Sequence, residues 1–278
     1  MRDTGAESDV RARVVRGLSD ALRRSHPDIV LDERGYMRAF TENMVPFVEV
    51  SDFETELSQG SGNELAGKFL AAHSSSALAV NSFAPFKRHL ADLRMFGAEG
   101  FSAMRFEAKC PTGLAGTPPH LDVLLECGER VVAVESKCLE HLSPHVAKFA
   151  ASYVTGILDA RCDTVWYREL LRLVDEPRTY RWLDAAQLIK HALGLMRTYP
   201  GRAVTLLYLY WEPLNASDYA HFESHCRETA AFAERVAGSC LAFESLTYYD
   251  LWAAWDEGAP QWLRAHLRNL RERYGIEI

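Results

Sequence analysis

Three side chains outline the chemistry this chain could do. Asp122, Glu135 and Lys137 fall on two β-rich runs, Leu121 to Cys127 and Arg130 to Lys137, which flank Gly128-Glu129. A glycine and one further residue between apolar runs signal a two-residue hairpin turn. That turn sets Cys127 opposite Arg130. Counting back along both strands sets Asp122 opposite Glu135. Glu135 and Lys137 are two apart and share a face, while Val132 and Val134 point to the other. Facing carboxylates repel unless a proton or a cation sits between them. A hard divalent ion such as Mg²⁺ is held by one or two carboxylates together with water and substrate phosphate. A lysine beside it could orient a water or offset charge developing on a phosphate. The plain alternative is a solvated hairpin face with a cross-strand Asp/Lys pair. The register, the buried Val-Val-Ala-Val neighbours and the preceding Pro118-Pro119 together favour a site.

A second set lies further along. Gln187, Lys190, His191 and Gly194 recur at i, i+3, i+4 and i+7, a polar-to-small stripe beside a wide apolar face of Leu188, Ile189, Ala192, Leu193, Leu195 and Met196. Two readings stay open for Gln187 and Lys190: a solvated helix face, or a contribution to the site. Other clusters carry less. His221, His225 and Cys226 have helical spacing that could suit zinc, but no complementary Cys or His pair lies nearby in sequence. His73 and Ser74-Ser75-Ser76 lack the G-x-S-x-G elbow of a nucleophile and read as a loop or helix cap. The six tryptophans are most economically core. Arginine stripes at Arg264, Arg268 and Arg271, and at Arg13, Arg16, Arg23 and Arg24, default to solvated faces. There is no P-loop and no dinucleotide fingerprint, so no organic cofactor is expected.

The elements that must hold these residues follow from periodicity. Helices are expected over residues 8–24, 62–72, 86–95, 145–159, 165–175, 181–198, 217–237, 248–256 and 261–273. Strands are expected over 101–109, in the two hairpin runs, over 203–211 and over 240–247. Within 101–109, Phe101, Ala103, Arg105, Glu107 and Lys109 alternate against Met104, Phe106 and Ala108. No composition shift marks a boundary, so residues 1–278 are read as one α/β domain. Its core spans about 60–215, with a helical extension over 1–59 and a mainly helical one over 216–278.

Pro119-His120-Leu121-Asp122 followed by Glu135-Ser136-Lys137 resembles the PD-(D/E)XK motif of the restriction-endonuclease-like nucleases. Pro119 lies three residues before Asp122 rather than beside it, a spacing the motif tolerates. The resemblance covers about residues 60–215. It also draws on Ser61-Gly62-Asn63-Glu64-Leu65, on the Gln187 helix and on the aromatic strand Leu207 to Trp211, which are similar to a mostly uncharacterised bacterial branch. It implies an αβββαβ core with a central mixed sheet between helices. It implies a Mg²⁺- or Mn²⁺-dependent endonuclease acting on DNA in restriction, phage defence or repair. Glu64, Asp122 and Glu135 would hold the metal with the main-chain carbonyl of Ser136. Lys137 would position the attacking water, and Gln187 and Lys190 would assist at phosphate. DNA is the expected partner, and a homodimer is compatible with the resemblance, since many relatives dimerise to cut both strands. Two alternatives stand beside it: a nuclease fold that binds nucleic acid or protein without cutting, and a metal hydrolase acting on another phosphate ester.

Composition limits these readings. The chain has 278 residues, 48% hydrophobic and 25% charged, which excludes collagen, a coiled coil and extensive disorder. The net charge of -7 excludes an indiscriminate basic coat for nucleic acid. Residues 201–250 hold seven acids against three basic residues, more than half of the acidic excess, mostly beyond the expected core. The N-terminus lacks the pattern of a secretory signal, no run suits a membrane span, and the six cysteines show no C-x-x-C pair. The expectation is a cytoplasmic protein with reduced thiols.

Overall fold

The computed structural model describes residues 4–59, 64–114, 118–155 and 164–278. Its centre is one five-stranded sheet in the order β1-β2-β3-β4-β5, formed by Ala103–Lys109, His120–Cys127, Arg130–Lys137, Ala203–Tyr210 and Leu241–Thr247. The first three strands form an antiparallel meander; β3, β4 and β5 run parallel. Parallel neighbours require crossovers. The first carries α4 (Ala151–Thr155), α5 (Thr164–Asp175) and α6 (Ala185–Thr198), and the second α7 (Ala220–Val236). The αβββαβ order implied by the resemblance is therefore present.

Both faces of the sheet are covered, so β4 reads as a continuous apolar run rather than an alternation. Leu207, Leu209 and Trp211 face one core layer with α1 (Thr4–Ser25), α2 (Glu54–Ser58), α3 (Ser75–Phe83), α8 (Tyr248–Asp256) and α9 (Gln261–Tyr274). Val204, Leu206 and Tyr208 face the other layer, with α5, α6 and α7. Five of the six tryptophans are buried, and Trp262 packs partly buried against the first layer. Among the described residues no helix is long and apolar enough to cross a membrane.

Four expectations are corrected. The expected helix 62–72 is absent where described: Glu64 opens a turn whose carbonyl accepts from the N–H groups of Gly67 and Phe69, and a 3₁₀ turn follows at Lys68–Leu70. Gly67, with φ -127° and ψ -104°, breaks the helical path. The early helix is instead α3, whose N-cap Ser74 accepts from Ala77 N at 3.1 Å. Its residues from Ala77 to Phe83 are buried all round, so it shows no amphipathic stripe. Residues 86–95 form only 3₁₀ turns at Ala84–Lys87 and Leu90–Asp92, with the ring of Pro85 in the first. Before α4, residues 144–150 are not helical: His145 N and Ala147 N donate to the carbonyls of Arg181 and Pro177. Residues 156–159 of that expected helix lie outside the described residues.

The fourth correction concerns β1. The alternation holds to Phe106 and then breaks. Glu107 takes φ +49°, rare for a residue with a side chain. Beyond it, Ala108 packs with the layer opposite to that of Met104 and Phe106. On β2, Leu121 likewise joins the layer opposite to that of Val123.

The fold is tied across its layers by buried polar groups. Asn81 donates to Asn43 O at 2.8 Å and to the Tyr274 hydroxyl at 2.7 Å. Buried Arg273 donates to Leu18 O, Asn43 Oδ1 and Ala72 O. Of the arginine stripes, Arg13, Arg23 and Arg271 form ion pairs with Asp9, Asp20 and Asp256.

Candidate active site

The hairpin register is as the turn dictates: Cys127 faces Arg130, and the ladder runs to Val123 opposite Val134. It stops one step short of Asp122 and Glu135. Asp122 instead turns its carboxylate to accept the Ser136 N–H at 2.7 Å, so the side chain replaces a ladder bond. Glu135 is buried and Asp122 half-buried. They line a cleft of about 460 Å³ at the end of β3, together with Glu64, Glu107, Lys137 and Gln187.

Glu135 and Lys137 point to the α6 side of the sheet. Lys137 Nζ donates to Glu135 Oε1 and, at 2.8 Å, to Gln187 Oε1. His191 Nε2 lies 2.9 Å from Glu135 Oε2. Gln187 and His191 reach the strand because α6 lies close to the sheet, with Asp184 as its N-cap. Gly194 makes the approach possible: a Cβ there would stand 2.1 Å from the Cys110 carbonyl oxygen. Ser136, between the two charged residues, faces the other layer. Its hydroxyl lies 2.6 Å from the Tyr248 hydroxyl and donates to Ser75 O at 3.1 Å.

The electrostatics are those of crowded acids around one amine. Burial raises the Asp122 carboxyl well above its ordinary value, and the charges of Glu135 and Glu107 raise it further. Glu107 is pushed up to about 7, first by burial and then by Glu64 and Glu135. Burial alone would raise Glu135 as well, but Lys137 and His191 hold it down to about 2. Burial alone would lower the Lys137 ammonium; Glu135, Glu140 and Asp122 keep it well above its ordinary value. In this arrangement Lys137 is a fixed cation, not a base.

The expected residues fall into two groups. Lys137 touches Glu135 and Gln187 directly, and Asp122 is held beside them by the Ser136 N–H. Glu64 and Lys190 line the same cleft more loosely. Glu64 accepts from Ser76 Oγ at 3.3 Å and lies 3.8 Å from Lys68 Nζ, while Lys190 Nζ sits 5.4 Å from the centre of the Phe149 ring. Two residues were not singled out for the site from sequence. His191 stood in the polar stripe without a role. Glu107 stood with Arg105 and Lys109 on the strand's polar alternation; its left-handed backbone opposite Asp122 has no sequence signal. The zinc-like spacing on α7 leads elsewhere, since His225 is buried, stacks on His141 and lies 3.0 Å from the Tyr208 hydroxyl.

No three acidic, histidine or cysteine side chains among the described residues are already disposed around an ion. The donor chemistry nonetheless fits a hard cation. Asp122 and Glu135 offer oxygens only, and a divalent ion would relieve the like-charge repulsion that adds to burial in raising Asp122 and Glu107.

A family model described as Restriction Endonuclease associating with ARP matches residues 19–275. Neither curated proteins nor solved structures give a match.

Proposed function

The chain belongs to the family described as Restriction Endonuclease associating with ARP, and from that premise we propose that it is a divalent-metal-dependent nuclease hydrolysing phosphodiester bonds in DNA. One observation carries the reading: the half-buried Asp122 and buried Glu135 carboxylates stand beside the Lys137 ammonium in one open cleft that Glu107 also lines. Burying like charges is unfavourable, and a fold that does so at a strand end is arranged for a ligand rather than for stability.

In this reading Asp122 and Glu135 hold Mg²⁺ or Mn²⁺, with the Ser136 main-chain carbonyl and Glu64 as further oxygen donors. When bound, the ion supplies charge neutralisation at the phosphate and a water of lowered pKa. Lys137 keeps its proton, so it orients the attacking water and stabilises charge on the phosphate instead of accepting a proton. Gln187 fixes the ammonium through its 2.8 Å hydrogen bond, and Lys190 contacts phosphate at the rim. The test is nicking of plasmid DNA with Mg²⁺ or Mn²⁺. Wild type should cut, and Lys137→Ala and Asp122→Ala should not; equal cutting by all three would sink the assignment.

One observation favours a second reading, a nucleic-acid- or protein-binding module that does not cut. Both Glu135 oxygens already have partners in Lys137 and His191. Calorimetry separates the two: DNA binding without any uptake of Mn²⁺ would support the module.

A further inference from the structure

We propose that the concave surface of Arg11, Arg16 and Arg34 holds the phosphate backbone of the polynucleotide as it leaves the carboxylate cleft. The inference rests on the nucleic-acid reading above. The surface is a second cleft of about 490 Å³, lined also by Tyr36, His73 and Glu33. Arg16 and Arg34 are exposed, and among the described residues neither guanidinium forms an ion pair. Many other arginines are paired with acids, among them Arg88, Arg105, Arg172, Arg202 and Arg227. Of the nearby acids, Asp9 is paired with Arg13, and one Asp32 oxygen accepts the backbone N–H groups of Arg34 and Tyr36. Glu33 is left as the acid lining the cleft. The guanidinium of Arg34 lies 5.0 Å from the centre of the Tyr36 ring, which limits its freedom and leaves its fork for a phosphate.

The local field is positive. Burial first, and then Arg11, Arg273 and Arg34, lower His73 to about 4, against one opposing charge from Glu140. In a chain of net charge -7, such a patch is where a polyanion can settle.

The two clefts also adjoin. Arg11 donates to Leu139 O at 3.0 Å and to Ser143 Oγ at 3.1 Å, fastening α1 to the segment that follows Lys137. His73 lines this cleft, while Ser75 lines the carboxylate cleft and donates to Glu140 Oε1 at 2.7 Å. Residues two apart span at most about 7 Å. The two clefts therefore border one another along the His73–Ser75 segment.

The experiment is fluorescence anisotropy on a labelled DNA duplex of about 30 base pairs, without metal, from about 20 to 200 mM salt. Each lost phosphate contact makes the log–log salt slope shallower by about 0.9. The double variant Arg16→Ala/Arg34→Ala should therefore lose about 1.8 from the slope and at least tenfold in affinity at low salt. Arg16→Lys/Arg34→Lys should keep the slope. Arg235→Ala, exposed on α7 across the sheet, should change neither. An unchanged slope in the double alanine variant, an equal loss in Arg235→Ala, or no duplex binding by wild type at the lowest salt would overturn the proposal. Metal-dependent cutting is read separately. A protein that shows the slope change but never cuts would contradict the nuclease reading and leave the backbone contact standing.

Discussion

Glu107→Gln should stabilise the metal-free protein, and increasingly so as pH rises. Its carboxyl is pushed up to about 7 from 4.5, chiefly by burial and then by Glu64 and Glu135. Between these values the folded protein holds a proton that the unfolded chain releases. Stability of wild type therefore falls as pH rises through that window, and below it this group contributes no loss. At about 1.36 kcal/mol per pKa unit, the full penalty above pH 7 is about 3 kcal/mol. The side chain is 14% exposed, and partial solvation brings the expected gain to roughly 1.5–3 kcal/mol. For a chain of this size that corresponds to a rise in Tm of roughly 3–8 °C. The assay is thermal unfolding of both proteins in EDTA from pH 4 to 8.5. Glu212 is also raised to about 7, but it is present in both proteins and cancels in the difference. The gap should be near zero at pH 4, open between pH 4.5 and 7, and level off above. Adding Mn²⁺ should narrow it, because the cation offsets the charge that wild type carries. A gap that does not depend on pH, or a variant less stable than wild type at pH 8, would refute the reasoning.

Further outcomes follow from the same geometry. His191→Phe removes the group 2.9 Å from Glu135 Oε2 and should weaken Mn²⁺ binding by roughly 10–100-fold in calorimetry, the usual cost of losing a group that orients a metal ligand. Gly194→Ala drives a Cβ against the Cys110 carbonyl. It should destabilise by roughly 1–3 kcal/mol in denaturant unfolding and lower cleavage, since Gln187 and His191 ride on the displaced helix. Lys137→Met leaves buried Glu135 and Asp122 without their cation and should cost about 3–5 kcal/mol in the metal-free protein, with Mn²⁺ restoring part of the loss in a thermal shift assay.

How much of this the sequence carried varies by segment. The hairpin was legible to the residue, because Gly128-Glu129 fixes the turn and the turn fixes every opposed pair down to Val123 and Val134. The polar stripe on α6 was legible too, since a helix face depends only on spacing; that Gln187 would meet Lys137 depended on how close α6 lies to the sheet. Glu64 lines the cleft, but its spacing set it on a helix that Gly67 does not allow. The helix that does border the site, α3, is buried on all sides and has no period to read. Glu107 was hidden for a different reason. Strand alternation is a local rule, and it fails where the backbone turns left-handed opposite Asp122. Two of the misread points, Glu64 and Glu107, lie along the cleft, while the expected helix over 86–95 is broken elsewhere, at Pro85 and the 3₁₀ turns that follow it.

Asp122 and Glu135 stand together at the strand end in position to receive a divalent cation. The most direct measurement is an anomalous difference map from a crystal soaked in Mn²⁺. A peak beside the two carboxylates is expected, with Glu135 drawn away from Lys137. No peak there at saturating Mn²⁺, with Lys137 still bound to Glu135, would contradict that expectation.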